Sequence, residues 1–325
     1  MTSNLSQFIK FLKEEISENQ ISSANTIDVI DPRDRLENKS EICVKPKNTQ
    51  EISKILKLAN KFTIPIIPIG GSTGLVGGQI ASQSNHVTLS LEKLDTINFF
   101  KDSNLLYVQS GAILSNIKKL AFNNGRLFPL SLASEGSCQI GGNLATNAGG
   151  LNVIKYGNVR DLCLGLEAVL PCGQIVSTMK PLKKNNMGFD LKNLLIGSEG
   201  TLGIITSTIL KTFPIPKDPV SIFLSINNLE DVLFVFEKIS REFSERILAF
   251  ELIKMTGIDF IEETGFTIKN PFNKKTNWKV LIEIDVNIGP INLGEIIENT
   301  FYDLLLENKI VEVFFATNID QRNEF

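Results

Sequence analysis

At 325 residues, with 42% apolar and 21% charged residues, the chain is long enough for two domains and has a globular composition. Its net charge of −3 argues against a nucleic-acid binder, for which a basic field is expected. No apolar run approaches the ~20 residues that a membrane-spanning helix needs, so no transmembrane segment is expected.

The N-terminus reads as a short amphipathic helix rather than a secretory signal. Phe8, Ile9, Phe11, Leu12 and Ile16 fall on one face, and Lys10, Lys13, Glu14 and Glu15 break up the apolar residues. Ile42–Val44 is a strand, and Ile52, Ile55, Leu56 and Ala59 recur at helical spacing. The apolar run Ile64–Ile67, bounded by Pro65 and Pro68, is a second strand. It opens into Pro-Ile-Gly-Gly-Ser-Thr-Gly-Leu-Val-Gly-Gly at 68–78, with five glycines in nine positions. Glycine lets a ligand approach the backbone, and successive N–H groups in such a loop can converge on an anion such as a pyrophosphate. An ordinary glycine-rich turn is the competing reading. The loop is not a Walker motif, because no Gly-Lys-Ser/Thr ends it, and its glycines do not space as G-x-G-x-x-G.

Strands are expected at Val87–Leu91 and Leu105–Val108, then a helix with Ile113, Leu114, Ile117, Leu120 and Ala121 as its buried stripe and Gly125 as its stop. More than half of residues 134–150 are Gly, Ala, Ser or Thr, which suits backbone laid against a flat, rigid ligand; a flexible loop is the alternative. Ile140 and Leu144, four apart, suggest a helical turn within it. Leu164–Leu170 and Gln174–Val176 form a hairpin over Pro171–Gly173. A third glycine cluster, 196–205, runs into a strand ending at Leu210. Three glycine-rich segments, each beside a strand, point to an extended cofactor touched mainly through backbone.

Pro214, Pro216 and Pro219 mark a boundary. Beyond it strand–helix–strand occurs twice: Val220–Ile226, Leu229–Phe243 and Ala249–Ile253, then Lys279–Asp285, Leu293–Glu307 and Val311–Ala316. The two rounds resemble half of a split βαβ layer. Four separated cysteines (Cys43, Cys138, Cys163, Cys172) read as small core residues in a reducing compartment, with neither a disulfide framework nor a zinc site. The expected location is cytoplasmic. His86, the sole histidine, reads as an exposed loop residue beside Asn85.

Four segments carry a resemblance to a known family: 68–78, GSCQIGGNLATNAGG at 136–150, GLEAVLPCGQIV at 165–176, and LKKNNMGFDLKNLLIGSEGTLGIIT at 182–206. Together they resemble the FAD-binding flavoproteins of the vanillyl-alcohol oxidase and p-cresol methylhydroxylase superfamily. The nearest branch looks like the D-2-hydroxyacid dehydrogenases of 2-hydroxyglutarate, lactate and glycolate type. The resemblance covers roughly residues 40–215. It implies an α+β fold, with a two-subdomain FAD-binding domain of p-cresol methylhydroxylase type over 1–217 and an incomplete α+β cap over 218–325.

The resemblance also implies roles. Pro68, Ile69, Gly70, Gly71, Ser72, Thr73 and Gly74 should hold the FAD pyrophosphate. Ala133, Ser134, Ser137, Cys138, Gln139, Gly141, Gly142, Thr146, Asn147 and Gly149 should line the ribityl and ring portions. Glu199, Gly200, Gly203, Ile204 and Ile205 should complete the slot. Covalently flavinylated relatives use a histidine or cysteine anchor. His86 lies outside the loop match and no cysteine sits in the loop, so FAD is expected to be non-covalent. Ser72 stands where Gly or Asn is usual, a change of slight expected cost; Met187 replaces Thr and Phe189 replaces Tyr.

In that family the substrate-carboxylate arginine and a histidine-rich metal and base motif lie in the C-terminal part. Ala316–Asn318 resembles the lead-in to that arginine segment, so the chain is expected to be truncated, with no metal site and no assignable catalytic residue. Arg160 and Lys155 are candidate contacts, or else solvated charges or partners of Asp161. The implied activity is oxidation of a 2-hydroxy acid, with an electron-transfer flavoprotein, a quinone or a partner subunit as acceptor. The rival readings are a flavin-binding subunit completed by a second polypeptide, a degenerate FAD binder without turnover, and a UDP-N-acetylenolpyruvoylglucosamine reductase. The 136–150 and 197–206 motifs point away from the last.

Overall fold

The computed structural model describes residues 3–23, 29–182, 184–217, 219–265, 271–286, 293–316 and 321. The chain divides into two compact units, Met1–Gly149 with Asn158–Pro214, and Gly150–Gly157 with Ile215–Phe325. Helices and sheets are mixed in both, so the fold is α+β.

The first unit holds two principal sheets. In one, the strands Ile21–Ser23, Ile42–Val44, Val87–Ser90 and Ile66–Ile69 lie side by side in that order. Ile42–Val44 and Ile66–Ile69 both run parallel to Val87–Ser90, and parallel strands need a crossover. Helix Thr49–Phe62 supplies it. Asn48 caps its start by accepting the Glu51 N–H at 2.9 Å, and Thr63 ends it in the left-handed region at φ 54°. Its Ile52, Ile55, Leu56 and Ala59 share a buried core with Leu5, Phe8, Leu12 and Ile16 of the N-terminal helix Ser3–Glu15. Phe11, expected on that face, sits at its rim and stacks on Phe62 at 5.5 Å.

The second sheet is antiparallel, with the strands Ile97–Phe100, Leu105–Gln109, Ile204–Lys211, Cys163–Val169 and Ile175–Ser177 in that order. The hairpin expected over 171–173 closes through Gly173 at φ +82°. Cys172 at its tip is exposed, which corrects its reading as a core residue: the tight turn faces solvent, whereas Cys43, Cys138 and Cys163 are buried. Burial pushes the Cys163 thiol up, so it is a poor nucleophile. His86 is half-buried rather than exposed, because Val87 beside it enters the sheet; its Nδ1 is buried without a partner among the described residues. The Glu167 carboxylate joins the two layers, accepting hydrogen bonds from Thr49 Oγ1 at 2.7 Å and Thr206 Oγ1 at 2.8 Å.

In the second unit the strands Val220–Ile226, Ile247–Lys254, Trp278–Ile284 and Glu312–Phe315 form one antiparallel sheet. Its order places Trp278–Ile284 between the other two long strands, so the two strand–helix–strand rounds interleave. This corrects the reading as half a layer: both rounds of a split βαβ arrangement are present in one sheet. Ile222, Leu224, Val280 and Ile282 alternate onto one face and pack with Val235, Ile239 and Phe243 of helix Leu229–Phe243 and Phe301 and Leu304 of helix Leu293–Leu306. Helix Met255–Glu263 was not anticipated; its Phe260 and Ile261 are exposed, so it presents little of the apolar stripe by which helices are read. The Ala316–Asn318 segment lies mostly outside the described residues. Residues 150–157, expected with the first domain, belong to this unit, where Lys155 Nζ pairs with Asp285 at 2.9 Å.

The opposite face of this sheet buries a lysine. Lys279 is 1% exposed and donates to Ser225 Oγ at 3.0 Å and Thr276 Oγ1 at 3.1 Å, with its ammonium 4.1 Å from the Phe272 ring centroid. Burial pulls its pKa down, and the Glu312 carboxylate partly offsets this. Replacing a buried charge by an apolar side chain of similar length is commonly stabilising, and Ser225 and Thr276 can still bond each other at 2.8 Å. Lys279→Met is therefore expected to gain about 1–2 kcal/mol at neutral pH by urea unfolding. A lowered pKa means the folded chain binds fewer protons here than the unfolded chain. Wild-type stability from this site thus rises towards the ordinary lysine value of about 10.4, and the advantage of the variant should shrink over that range.

Candidate functional site

The loop Gly70–Gly78 leaves the carboxyl end of strand Ile66–Ile69, and it is one wall of a cleft of about 270 Å³ in the first unit. The second wall is the short helix Ile140–Ala145 with its flanks, and the third is the 199–205 segment. The expected turn at Ile140 and Leu144 is this helix.

Close contact at glycine brings the three walls together. A Cβ on Gly71 would lie 2.0 Å from the Ser137 carbonyl oxygen, and one on Gly200 would lie 2.7 Å from Pro68 Cγ. The first wall thus touches both of the others at distances no other residue permits. Gly141 sits equally tightly on Ser110, 2.5 Å from its Cβ, and the Ser110 hydroxyl donates to the Ile205 carbonyl at 2.6 Å. The third wall is strapped to the short helix by Gly197 N–H to Leu144 O at 3.1 Å and Glu199 N–H to Ala145 O at 2.9 Å. Arg160 secures the far side, its guanidinium donating to the carbonyls of Asn193 and Ile196 at 2.5 and 2.6 Å. Arg160 is therefore a clamp on main chain, and neither it nor Lys155 pairs with the Asp161 side chain, which accepts the Asn158 N–H.

Pro68, Ile69, Gly70, Gly71, Ser72, Thr73, Gly74, Ser134, Gln139, Gly141, Gly142, Thr146, Glu199, Gly200, Gly203, Ile204 and Ile205 all line the cleft. Ala133, Ser137, Cys138, Asn147 and Gly149 do not. Ala133 and Ser137 are exposed, with the Ser137 carbonyl turned onto Gly71, while Cys138 is buried. Asn147 uses its Oδ1 to accept the Arg160 N–H at 3.3 Å. Sequence reasoning missed Gln79, Leu91, Leu132 and Asn143 as lining residues. Asn143 lies four residues after Gln139 on the short helix, so helical periodicity could have found it.

Two observations fit a bound flavin nucleotide. Gln139 and Asn143 line the cleft, and their side-chain oxygens are buried with no hydrogen-bond partner among the described residues, so a small side-chain shift would offer two acceptors to a ligand with N–H or O–H donors. Flavin ring N–H groups and ribityl hydroxyls are such donors. In addition, two lining residues other than glycine are held in the left-handed region, Ser72 at φ 53° and Glu199 at 52°, and Asn147 at 48° lies just behind the short helix. Backbone strain of this kind gathers at ligand sites. Glu199 is the only ionisable side chain on the cleft among the described residues, so an anion there would be met by main-chain amides rather than by lysine or arginine.

Residues 40–179 match the family described as FAD binding domain. Three relatives extend the match: D-2-hydroxyglutarate dehydrogenase, mitochondrial, of Arabidopsis thaliana, its namesake in Rattus norvegicus, and a putative mitochondrial D-lactate dehydrogenase of Schizosaccharomyces pombe. The first is 31% identical, over 98% of this chain and 58% of its own length. The second is 38% identical, over 87% and 52%, and the third 37% identical, over 78% and 48%. The chain thus spans about half the length of the curated relatives it matches. Among solved structures, p-cresol methylhydroxylase with substrate bound superposes at a TM-score of 0.78 with 14% identity, over 100% of this chain and 69% of that one. Alkyldihydroxyacetonephosphate synthase gives 0.75 with 21% identity, over 98% and 62%. At these identities the structures show a shared fold.

Fold and motif define an FAD-binding domain of p-cresol methylhydroxylase type. Residues 40–179 match an FAD-binding domain family, the fold is one that p-cresol methylhydroxylase shares, and the sequence relatives are named D-2-hydroxyglutarate and D-lactate dehydrogenases, in keeping with the resemblance read from the motifs. The expected cytoplasmic location is overturned: these relatives are named mitochondrial. That expectation rested on separated cysteines and on the lack of a secretory signal, neither of which tells one reducing compartment from another.

The cost expected to be slight at Ser72 comes from its backbone. A non-glycine residue at φ 53° costs about 1–2 kcal/mol, against about 0.5–1 kcal/mol for the extra chain entropy of glycine. Ser72→Gly should therefore raise stability by about 0.5–1 kcal/mol in a urea titration. Gly71→Ala, one residue away, should lower it by about 1–3 kcal/mol, because the new methyl meets main chain.

Proposed function

We propose that the first unit holds FAD non-covalently in the three-walled cleft, and that the chain serves D-2-hydroxyacid oxidation of the 2-hydroxyglutarate, lactate or glycolate type. The observation that carries the cofactor part is the convergence of all three glycine-rich segments on one cleft with two unpartnered buried acceptors. The relatives' names supply the reaction class. On this reading the first unit is the flavin domain, apart from residues 150–157 essentially the expected 1–217, and the second belongs to a substrate-covering domain.

Bound FAD would supply a two-electron acceptor for a hydride from the hydroxyl-bearing carbon of the substrate. This chain's residues bind and orient. Amides of the Gly70–Gly74 loop face the pyrophosphate. Gln139 and Asn143 accept from flavin donors, and the tight glycine contacts fix the walls before the cofactor arrives, so little ordering cost falls on binding. No cysteine or histidine lines the cleft among the described residues, which supports a dissociable flavin.

Visible absorption after FAD addition and desalting tests the cofactor part. Retained flavin bands are expected, with all flavin released into the filtrate on denaturation. Because amide dipoles rather than lysines face the anion, the FAD dissociation constant should change less than about threefold between low and physiological salt. A protein folded by circular dichroism that retains no flavin would contradict the assignment. Anaerobic D-2-hydroxyglutarate then tests the reaction. Bleaching supports oxidation by this chain; retained bands without bleaching would place it as a flavin-holding component.

A further inference from the structure

The segment 30–39 runs beside the outer half of the glycine-rich loop and precedes the FAD-binding family match, which starts at residue 40. Gln79 Nε2 donates to the Ile30 carbonyl at 3.3 Å, Asn38 Oδ1 accepts the Ala81 N–H at 3.0 Å, and the Lys39 N–H donates to the Ala81 carbonyl at 2.9 Å. Between these ties, Arg35 and Leu36 touch the loop itself. Arg35 Nη2 donates to the Leu75 carbonyl at 2.8 Å. Leu36 packs on Gly77, where a Cβ would lie 2.3 Å from Leu36 Cδ1.

One carboxylate shapes this segment. Asp31 is only 5% exposed; its Oδ1 accepts the Arg33 N–H at 3.1 Å, and its Oδ2 accepts those of Arg35 and Leu36, each at 3.0 Å. The Arg33 amide, aided by those of Arg35 and Leu36, holds the carboxyl below the usual carboxylate range against the opposing effect of burial, so it is ionised at neutral pH. Three amides on one side chain fix the turn 31–36, and with it the points from which Arg35 and Leu36 reach the loop. Both side chains are exposed, so packing does little to place them.

The Arg35 contact bears on the cleft. A trans peptide carries its C=O and N–H on opposite sides. Arg35 does not line the cleft, and it takes the Leu75 carbonyl, so the Val76 N–H of the same peptide points away from Arg35. Val76 lines the cleft, and its amide has no partner among the described residues. We infer that Asp31 is a positioning residue for the flavin nucleotide: by fixing Arg35 it aims the Val76 amide at a phosphate of FAD, so that the anion-binding amides of the loop extend past Gly74. This rests on the flavin reading of the cleft. The competing role for Asp31 is closure of a turn with no effect on the cofactor, and binding measurements separate the two.

Fluorescence titration of the full chain with FAD is the test. Asp31→Asn keeps the volume but sets an NH₂ group where the amides need an acceptor, and it should raise the FAD dissociation constant about tenfold. Arg35→Ala should raise it about fivefold, and the double variant about as much as Asp31→Asn alone, because the first residue acts through the second. At saturating FAD the flavin absorption bands of all three variants should stay where the wild type has them, since the ring is held from the second wall. Arg35 is exposed, so Arg35→Ala decides the matter if Asp31→Asn does not fold by circular dichroism. The inference is overturned if either folded variant binds FAD like the wild type, or if the two losses add. It is equally overturned if the bands shift with the affinity, which would mean that the whole cleft had loosened. A folded wild type that binds no FAD would instead overturn the flavin reading, and the inference with it.

Discussion

The approach of Gly71 to the Ser137 carbonyl oxygen, where a Cβ would lie at 2.0 Å, is the constraint on which the site depends. Main chain touches main chain there, and Gly200 meets the Pro68 ring less tightly. These contacts set the width of the cleft before any ligand enters. Glycine-rich sequence is usually read as freedom to receive a ligand. Here much of it is spent on bringing three separate segments into register, and the amides that remain on the inner surface inherit a fixed geometry from that packing. Ser72 and Glu199, held in the left-handed region on the first and third walls, sit within the same network.

The rest of the first unit serves that register. The short helix Ile140–Ala145 is anchored through Gly141 on Ser110, and Ser110 in turn bonds the strand that ends the third wall. Arg160 draws two carbonyls of the same wall outward, a use of its fork geometry that needs no carboxylate. The cleft is correspondingly poor in charge. The second unit carries the opposite economy, with a buried lysine enclosed by two hydroxyls and a phenyl ring on one face of its sheet.

Much of this was legible in the sequence, for identifiable reasons. Helix Thr49–Phe62 has clean periodicity and a capping Asn48, strand Ile204–Lys211 follows a glycine cluster that marks its start, and the glycine segments announce themselves by composition. What sequence could not give was direction. Ser137 and Gln139 are two residues apart and both were assigned to the cofactor, yet one faces solvent and the other the cleft. Nor could spacing reveal that the strands of the second unit interleave, because pairing of Trp278–Ile284 with Val220–Ile226 is a contact between residues some 58 apart. Cys172 and His86 were misplaced because burial at a turn depends on the neighbouring strand, which local sequence describes poorly.

Hydrogen–deuterium exchange with and without FAD tests the central claim most directly. The account predicts slowed exchange in residues 69–74, 139–148 and 197–205 together, because one ligand spans three walls that are already locked to one another. Residues 182–194, outside the cleft, should exchange as before. Protection confined to one glycine segment, or absent from all three while flavin is retained, would show that the cofactor sits elsewhere and contradict the account.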